Sequence, residues 1–206
     1  LLMFDLFECL WLLKIEVYVF DNKLDKANKL LNSLYELEPN NEDVFIQKAN
    51  ILSKQDNHQK AIDTLLIAIE FSEQSADLYS LIGMEYLFLD QFENAKTSFM
   101  KCLEADIEDY SALYNIIYCF DFLEQTDDAI EYLTMYLDKN PYCEVAWHQL
   151  GKQYFAQKEY KKAIVAFDFA IISDDMFIGA YLEKGKVLEK LKQYNEAVEC
   201  YKVTLV

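Results

Sequence analysis

The chain has 206 residues, of which 53% are hydrophobic and 15% aromatic, so it can bury a large core and is not a disordered chain. All 19 basic residues are lysines against 36 acidic ones, and the resulting net charge of −17 argues against nucleic-acid binding. With four glycines and two prolines, the sequence lacks the turn residues of a β protein and favours long helices with short connections.

The five cysteines form no CxxC pair and are an odd number, which argues against a disulfide framework and against a zinc site. We therefore expect reduced structural thiols, no metal or other cofactor, and a cytoplasmic location. The absence of arginine beside abundant lysine, asparagine and isoleucine suggests an AT-rich genome and a bacterial source. The cysteines are Cys9, Cys102, Cys119, Cys143 and Cys200.

The first twenty residues, LLMFDLFECLWLLKIEVYVF, are apolar enough to resemble a membrane span. Asp5, Glu8, Lys14 and Glu16 interrupt the segment, and each would cost roughly 2.5 to 3.5 kcal/mol near a bilayer centre. A basic leading region and a small-residue cleavage site are both absent, so a signal peptide is no better supported. We therefore expect no membrane span. Because the chain opens on Leu and stops at Val206 inside an apolar run, we expect a fragment of a longer protein.

An internal repeat of 34 residues runs through the chain without an insertion or a deletion. Its clearest mark is a register of six alanines, each followed four residues later by a large apolar residue. The alanines are Ala27, Ala61, Ala95, Ala129, Ala163 and Ala197, and the residues that follow them are Leu31, Leu65, Phe99, Leu133, Phe167 and Tyr201.

The spacings within one repeat predict two helices joined by a short polar turn. In the fifth repeat Trp147, Gly151 and Tyr154 share one face of the first helix. Ala163 and Phe167 share a face of the second helix. We expect Gly151 and Ala163 to mark the place where the two helices approach too closely for a longer side chain. Because isolated helices of about 12 to 15 residues are marginal in water, such hairpins must stack on one another.

At these residues the sequence resembles the tetratricopeptide repeat family, whose pattern runs W-x2-L-G-x2-Y, then A-x3-F, then P. Every element except the proline is reproduced by Trp147, Leu150, Gly151, Tyr154, Ala163 and Phe167. Ile15 and Ile117 depart from the family pattern, because Gly or Ala is usual at their position.

The resemblance implies an all-α fold, a right-handed α-solenoid of six stacked helical hairpins. We expect a single domain over residues 1–206. Its repeats would span residues 8–41, 42–75, 76–109, 110–143, 144–177 and 178–206, the last one cut short.

The resemblance also implies a concave groove lined by the first helices, and modules of this kind bind peptides or protein surfaces. A second apolar stripe points the same way, since Tyr114, Tyr118 and Phe122 recur every four residues on the side away from the hairpin core. The alternative is that these side chains pack between successive first helices. The candidate groove comprises Met84, Phe88, Tyr114, Tyr118, Phe122, His148, Lys152 and Phe155.

Charge is unevenly distributed, because residues 76–143 hold three lysines against fourteen acids whereas residues 144–206 are neutral overall. A basic partner over the middle repeats is one interpretation. A solvated face that keeps an aromatic-rich solenoid soluble is the other.

Some members of the family bind a peptide's terminal carboxylate with Lys and Asn on successive first helices. The corresponding positions here include Ser80, Met84, Tyr114 and Tyr118, which supply no such clamp. Binding of chaperone tails is therefore disfavoured.

Signs of catalysis are weak, because the chain has two histidines and no glycine-rich phosphate loop. His58 occupies a turn position that holds Phe92 or Tyr160 in other repeats, which favours a packing role. His148 faces the predicted groove without a Cys or Asp at ligand spacing, which favours a contact role over a metal role.

These observations predict a protein-interaction scaffold and not an enzyme. One alternative is a regulatory or positioning module of a longer enzyme or envelope-assembly protein. Another is a structural unit that self-associates through its apolar ends, LLMFDLF and VTLV.

Overall fold

The computed structural model describes residues 2–72 and 75–204, with side chains from Cys9 onward. The described residues form twelve α-helices and no strand. Helices with odd numbers are the first helices of the repeats, and helices with even numbers are the second. They are α1 (Leu2–Phe20), α2 (Leu24–Leu37), α3 (Glu42–Lys54), α4 (His58–Ile69), α5 (Ala76–Phe88), α6 (Phe92–Ala105), α7 (Tyr110–Phe122), α8 (Thr126–Lys139), α9 (Glu144–Ala156), α10 (Tyr160–Ser173), α11 (Ile178–Lys190) and α12 (Tyr194–Val203).

The chain divides into two compact units, residues 1–116 and residues 117–206, with the division inside α7. In the N-terminal unit α1 packs on α2, α3 on α4 and α5 on α6, while α2 also contacts α3 and α4 contacts α5. In the C-terminal unit α9 packs on α10 and α11 on α12, while α8 contacts α9 and α10 contacts α11. Within each unit successive hairpins thus cover one another's apolar faces, and the predicted all-α fold of helical hairpins is confirmed.

Every first helix ends in the same left-handed turn. In the fifth repeat Lys158 has a φ of 62°. Its N–H donates to the Phe155 carbonyl at 3.0 Å, and the Glu159 N–H donates to the Tyr154 carbonyl at 2.8 Å. This is a Schellman pattern, in which glycine is the usual left-handed residue. Here the left-handed residues are Asn22, Asp56, Asp90, Glu124, Lys158 and Lys192.

The contact between the two helices of a hairpin depends on two residues that lie 16 positions apart. A Cβ atom added to Gly151 would lie 2.5 Å from Cε1 of Phe167, and one added to Gly83 would lie 2.7 Å from Phe99. The close approach predicted at Gly151 thus brings the helix against the ring of Phe167. Each ring fills the volume that a glycine side chain leaves empty.

The hairpins without this glycine fill the same place differently. The second repeat has Ala49 and Leu65 at the two positions, and the first has Ile15 and Leu31, all of them buried. Relative to a glycine with a phenylalanine, the second repeat thus has a larger residue on the first helix and a smaller one on the second, which is how well-packed cores tolerate substitution. The pair of Ile15 with Leu31 is larger than either of these combinations.

We predict that Gly151→Ala lowers the free energy of unfolding by about 1 to 3 kcal/mol, because the new methyl group must displace the Phe167 ring. Adding Phe167→Leu would recreate the pair that Ala49 and Leu65 form. The loss in the double variant should then be smaller than the sum of the two single losses by at least about 0.5 kcal/mol. Denaturant unfolding of the four proteins measures this difference, and additive losses would contradict the account.

A second prediction concerns the left-handed turns. Lys158→Gly should raise the free energy of unfolding by up to about 1 kcal/mol, because a lysine Cβ is strained at positive φ and glycine is not. Asp90→Gly is the matched control and should gain less, since Asp tolerates this conformation better. Thermal unfolding of both variants tests the idea, and a gain at Asp90 equal to that at Lys158 would refute it.

Candidate functional site

In the N-terminal unit, helix α5 presents Met84 and Phe88 one turn apart, and both are exposed. The Phe88 ring stacks on the imidazole of His58, with ring centroids 4.9 Å apart and planes inclined by 20°. Nδ1 of His58 also lies 2.8 Å from Oε2 of Glu85, a largely buried carboxylate. His58 therefore joins the start of α4 to α5 through a polar contact as well as a ring contact. The polar contact was not predicted.

Helix α7 carries the aromatic part of the predicted stripe. Tyr114 belongs to the N-terminal unit and is 40% exposed, and Tyr118 belongs to the C-terminal unit and is 51% exposed. Phe122 is exposed as well, and its ring centroid lies 6.4 Å from that of Tyr118. All three side chains are therefore at the surface, whereas the residues on the other side of α7 are buried. The buried residues include Leu113, Ile117 and Phe120.

Helix α9 supplies the last three predicted residues, and they differ in environment. Lys152 is exposed, with Nζ donating to Oε1 of Gln149 at 3.4 Å. Phe155 is half-buried, and its ring centroid lies 5.9 Å from that of Tyr160. Lys152 therefore offers a mobile charge at the surface, whereas Phe155 is partly engaged in packing.

His148 packs inside the C-terminal unit. Its ring centroid lies 5.9 Å from that of Phe167 and 5.2 Å from that of Phe177. Both ring nitrogens are shielded from solvent, and neither forms a hydrogen bond within the described part of the chain. Burial lowers the pKa of His148 to about 4, and the nearby positive charge of Lys152 lowers it further while Glu183 opposes the shift. The neutral imidazole behaves as an apolar packing group.

A groove of about 580 Å³ lies in the N-terminal unit, where α1, α3 and α5 end. We call it the N-terminal groove. Nε2 of Gln47 donates to Oε1 of Glu16 at 3.0 Å, which ties α3 to α1 along the groove. Phe88 is the one lining residue that the sequence predicted. The lining residues are Glu16, Val19, Phe20, Gln47, Asn50, Ser53, Lys54, Asp56, His58 and Phe88.

A more apolar cleft of about 670 Å³ lies in the C-terminal unit between α8, α9 and α10, and we call it the C-terminal cleft. The Trp147 ring stacks on Phe169 with centroids 4.6 Å apart, and its Nε1 donates to the Pro141 carbonyl at 2.8 Å. This cleft was not predicted from the sequence. Its signal there is a pair of apolar residues one turn apart on α10, Val165 and Phe169. The lining residues are Thr134, Leu137, Asp138, Pro141, Trp147, Leu150, Tyr154, Lys161, Lys162, Val165, Ala166 and Phe169.

Two further predictions concern the cysteines and the side chains that could bind a metal ion. All five cysteines are free thiols. Burial raises the pKa of Cys102 to about 12, and its Sγ donates to Oδ2 of Asp109 at 3.2 Å. Among the side chains described, no three His, Cys, Asp or Glu residues come together closely enough to bind a metal ion.

No helix in the described ranges combines the length and apolar character that crossing a bilayer requires. The predicted apolar ends are residues 1–7 and residues 203–206. Val203 is exposed, whereas the side chains of residues 1–7 and the last two residues lie outside the described part of the chain, so self-association through these ends stays a prediction.

The buried His148 generates a pH prediction. Its pKa is about 4 in the folded protein and 6.5 in the unfolded chain, so the unfolded chain binds more protons between these pH values. The stability that neutral His148 provides is complete above pH 6.5 and is lost as the pH falls toward 4. Replacing His148 with Leu, the residue at the equivalent positions 12 and 182, should remove about 2 to 3 kcal/mol of this pH dependence. Denaturant unfolding of the unmodified protein and of His148→Leu at pH 7 and pH 4.5 measures this pH dependence. An equal loss of unfolding free energy in the two proteins would contradict the assignment.

Comparison with known proteins agrees with this architecture. Models described as tetratricopeptide repeat match residues 76–106 and 178–202, and another with the same description matches residues 111–141. Anaphase-promoting complex subunit 3 of Schizosaccharomyces pombe is 27% identical over 169 residues, which cover 82% of this chain and 25% of that protein. The chain spans about a quarter of the length of the curated relatives it matches.

Solved structures show the same fold. PilF of Pseudomonas aeruginosa superposes with a TM-score of 0.64 and 14% identity, covering 95% of this chain and 89% of that one. YrrB, described as a TPR protein with an unusual peptide-binding site, superposes with a TM-score of 0.55 and 22% identity, covering 84% and 89%. The repeat register, the helical hairpins and these matches agree, and the chain contains tetratricopeptide repeats.

Proposed function

We propose that this protein is a non-catalytic interaction scaffold that binds a peptide or a protein surface along its first helices, in the concave groove of a single solenoid domain. The main support for this proposal is a set of exposed apolar side chains at equivalent positions of two repeats. Met84 and Phe88 on α5 stand 34 residues before Tyr118 and Phe122 on α7, and all four are exposed. Exposed apolar and aromatic side chains that recur in this way are typical of recognition surfaces.

The family supports the general part of this proposal, because tetratricopeptide repeats are protein-interaction scaffolds. YrrB is a further support, since its description names a peptide-binding site. The position of the site on this chain and the cytoplasmic, bacterial setting remain predictions from the sequence. A role as a positioning module within a longer protein is compatible with the same surface.

The C-terminal cleft is a second candidate site. Its stacked Trp147 and Phe169 offer the apolar pocket in which an anchoring side chain binds. Its lining includes residues of the second helices α8 and α10 as well as of α9, so variants on α10 can separate the two surfaces.

The test is affinity capture from lysate of the source cells with three forms of the protein. The first is the unmodified protein, and the second is Tyr114→Ala/Tyr118→Ala. The third is the matched control Val165→Ala/Phe169→Ala, which removes side chains of similar exposure, 52% and 44%, from the C-terminal cleft. We expect specific partners to fall about tenfold or more in the tyrosine variant alone, because buried interface tyrosines contribute about 2 kcal/mol.

Circular dichroism establishes that all three proteins remain helical. Partners lost only from the Val165 and Phe169 variant would move the site to the C-terminal cleft. Partners retained by all three forms would exclude both surfaces, and the proposed site on the first helices would be wrong.

A further inference from the structure

The N-terminal groove is built from the carboxyl ends of three helices. Helix α1 ends at Phe20, α3 at Lys54 and α5 at Phe88, and all three residues line the groove. The last turn of a helix carries a partial negative charge from its aligned peptide dipoles, and this charge attracts cations. The backbone itself therefore favours a positively charged ligand at this place.

Side-chain charge acts in the same direction. Glu16 and Asp56 line the groove, and the buried carboxylate of Glu85 lies 2.8 Å from the lining residue His58. Residues 1–116 contain 21 acidic residues against nine lysines. Lys54 is the lining lysine, and it is exposed at the carboxyl end of α3. The field over this unit is therefore attractive to a basic partner.

Gln47 provides an observation independent of charge. Its side chain is 6% exposed, and its amide nitrogen is already committed to Glu16. Its Oε1 is buried and accepts no hydrogen bond from any described residue. An unpaired buried acceptor costs about 1 to 3 kcal/mol. A ligand that brings a hydrogen-bond donor into the groove would satisfy this oxygen and recover that cost.

Aromatic rings define the shape of the cation that fits. Phe20 lines the groove and is 87% exposed, and Phe88 lines it with its ring stacked on His58. A guanidinium group is planar, stacks on aromatic faces and carries five donors in a fixed plane. Its donors are numerous enough to serve both Gln47 and the Glu16 carboxylate, and its planar face is suited to an aromatic ring. A lysine ammonium is a point charge that lacks the planar face.

We propose that the N-terminal groove binds an arginine side chain carried by a basic segment of a partner protein. The inference rests on the proposed function, because it takes a partner segment to lie along the first helices. It adds the chemistry that this segment must have. Lys54 opposes the bound charge, so its removal strengthens binding.

The experiment uses the whole chain and a displayed library of random dodecapeptides as the probe. We expect the selected peptides to be enriched in arginine. Each selected peptide is then synthesised with arginine, with lysine and with citrulline, which keeps the shape but has no charge. Fluorescence anisotropy should show that citrulline weakens binding about tenfold or more, as expected for loss of a charge-assisted hydrogen bond. The lysine peptide should bind with an affinity between those of the arginine and citrulline peptides.

Variants assign this preference to the groove. In Gln47→Leu and in Glu16→Gln, the ratio of the dissociation constants of the citrulline and arginine peptides should fall to within about twofold. The first variant removes the unpaired acceptor, and the second removes the carboxylate charge. Lys54→Gln should raise the affinity for the arginine peptide about threefold, because it removes the repulsion between the lysine and the bound guanidinium. The control is Gln153→Leu, since Gln153 is equally buried in the C-terminal unit and donates to Asp121 at 2.8 Å. It should leave the ratio unchanged.

The outcomes separate this inference from the proposed function. Selected peptides without arginine enrichment, or an arginine preference that survives in Gln47→Leu and Glu16→Gln, would overturn the inference. If those same peptides lose affinity for Tyr114→Ala/Tyr118→Ala, the proposed function still holds although the arginine inference is wrong. A library that yields no binding peptide for the folded protein would count against both.

Discussion

The fold depends on one packing constraint, which is the close contact between the first and second helices of each hairpin. A glycine and an aromatic ring make this contact in the pairs of Gly83 with Phe99 and Gly151 with Phe167. Two buried aliphatic residues occupy the same positions in the pair of Ile15 with Leu31. Because the helices are too short to persist alone, this internal contact must form before a hairpin can present a face to its neighbour. Everything on the surface is positioned by it.

The same constraint leaves the opposite side of each first helix free to vary. On α5 that side carries Met84 and Phe88, and on α7 it carries Tyr118. Along α3 it is polar instead, with Gln47 bonded to Glu16 of α1. The first helices therefore differ in chemistry although they share a backbone. Repeat proteins obtain specificity through such differences between equivalent positions.

The sequence predicted the helices, their period and the apolar stripe on α7, because all three follow from spacings along the chain. It did not predict the polar contacts that shape the N-terminal groove. Gln47 and Glu16 are 31 residues apart, and His58 and Glu85 are 27 apart. Periodicity identifies the face on which a residue lies but not the side chain that meets it from another helix. For the same reason, the sequence placed His148 on α9 but did not predict that its ring packs against Phe167 and Phe177.

The recurring left-handed turn has a consequence for how such a chain can grow. The turn closes through two backbone hydrogen bonds, so its length is fixed and each second helix begins a set distance after it. A gene duplication whose ends fall in two equivalent turns would insert a whole hairpin with both helices capped. The residues at the turns differ widely, from Asn22 to Lys192, so the junction imposes little on composition. Lineages could therefore lengthen or shorten this protein in steps of one hairpin without passing through an unstable intermediate.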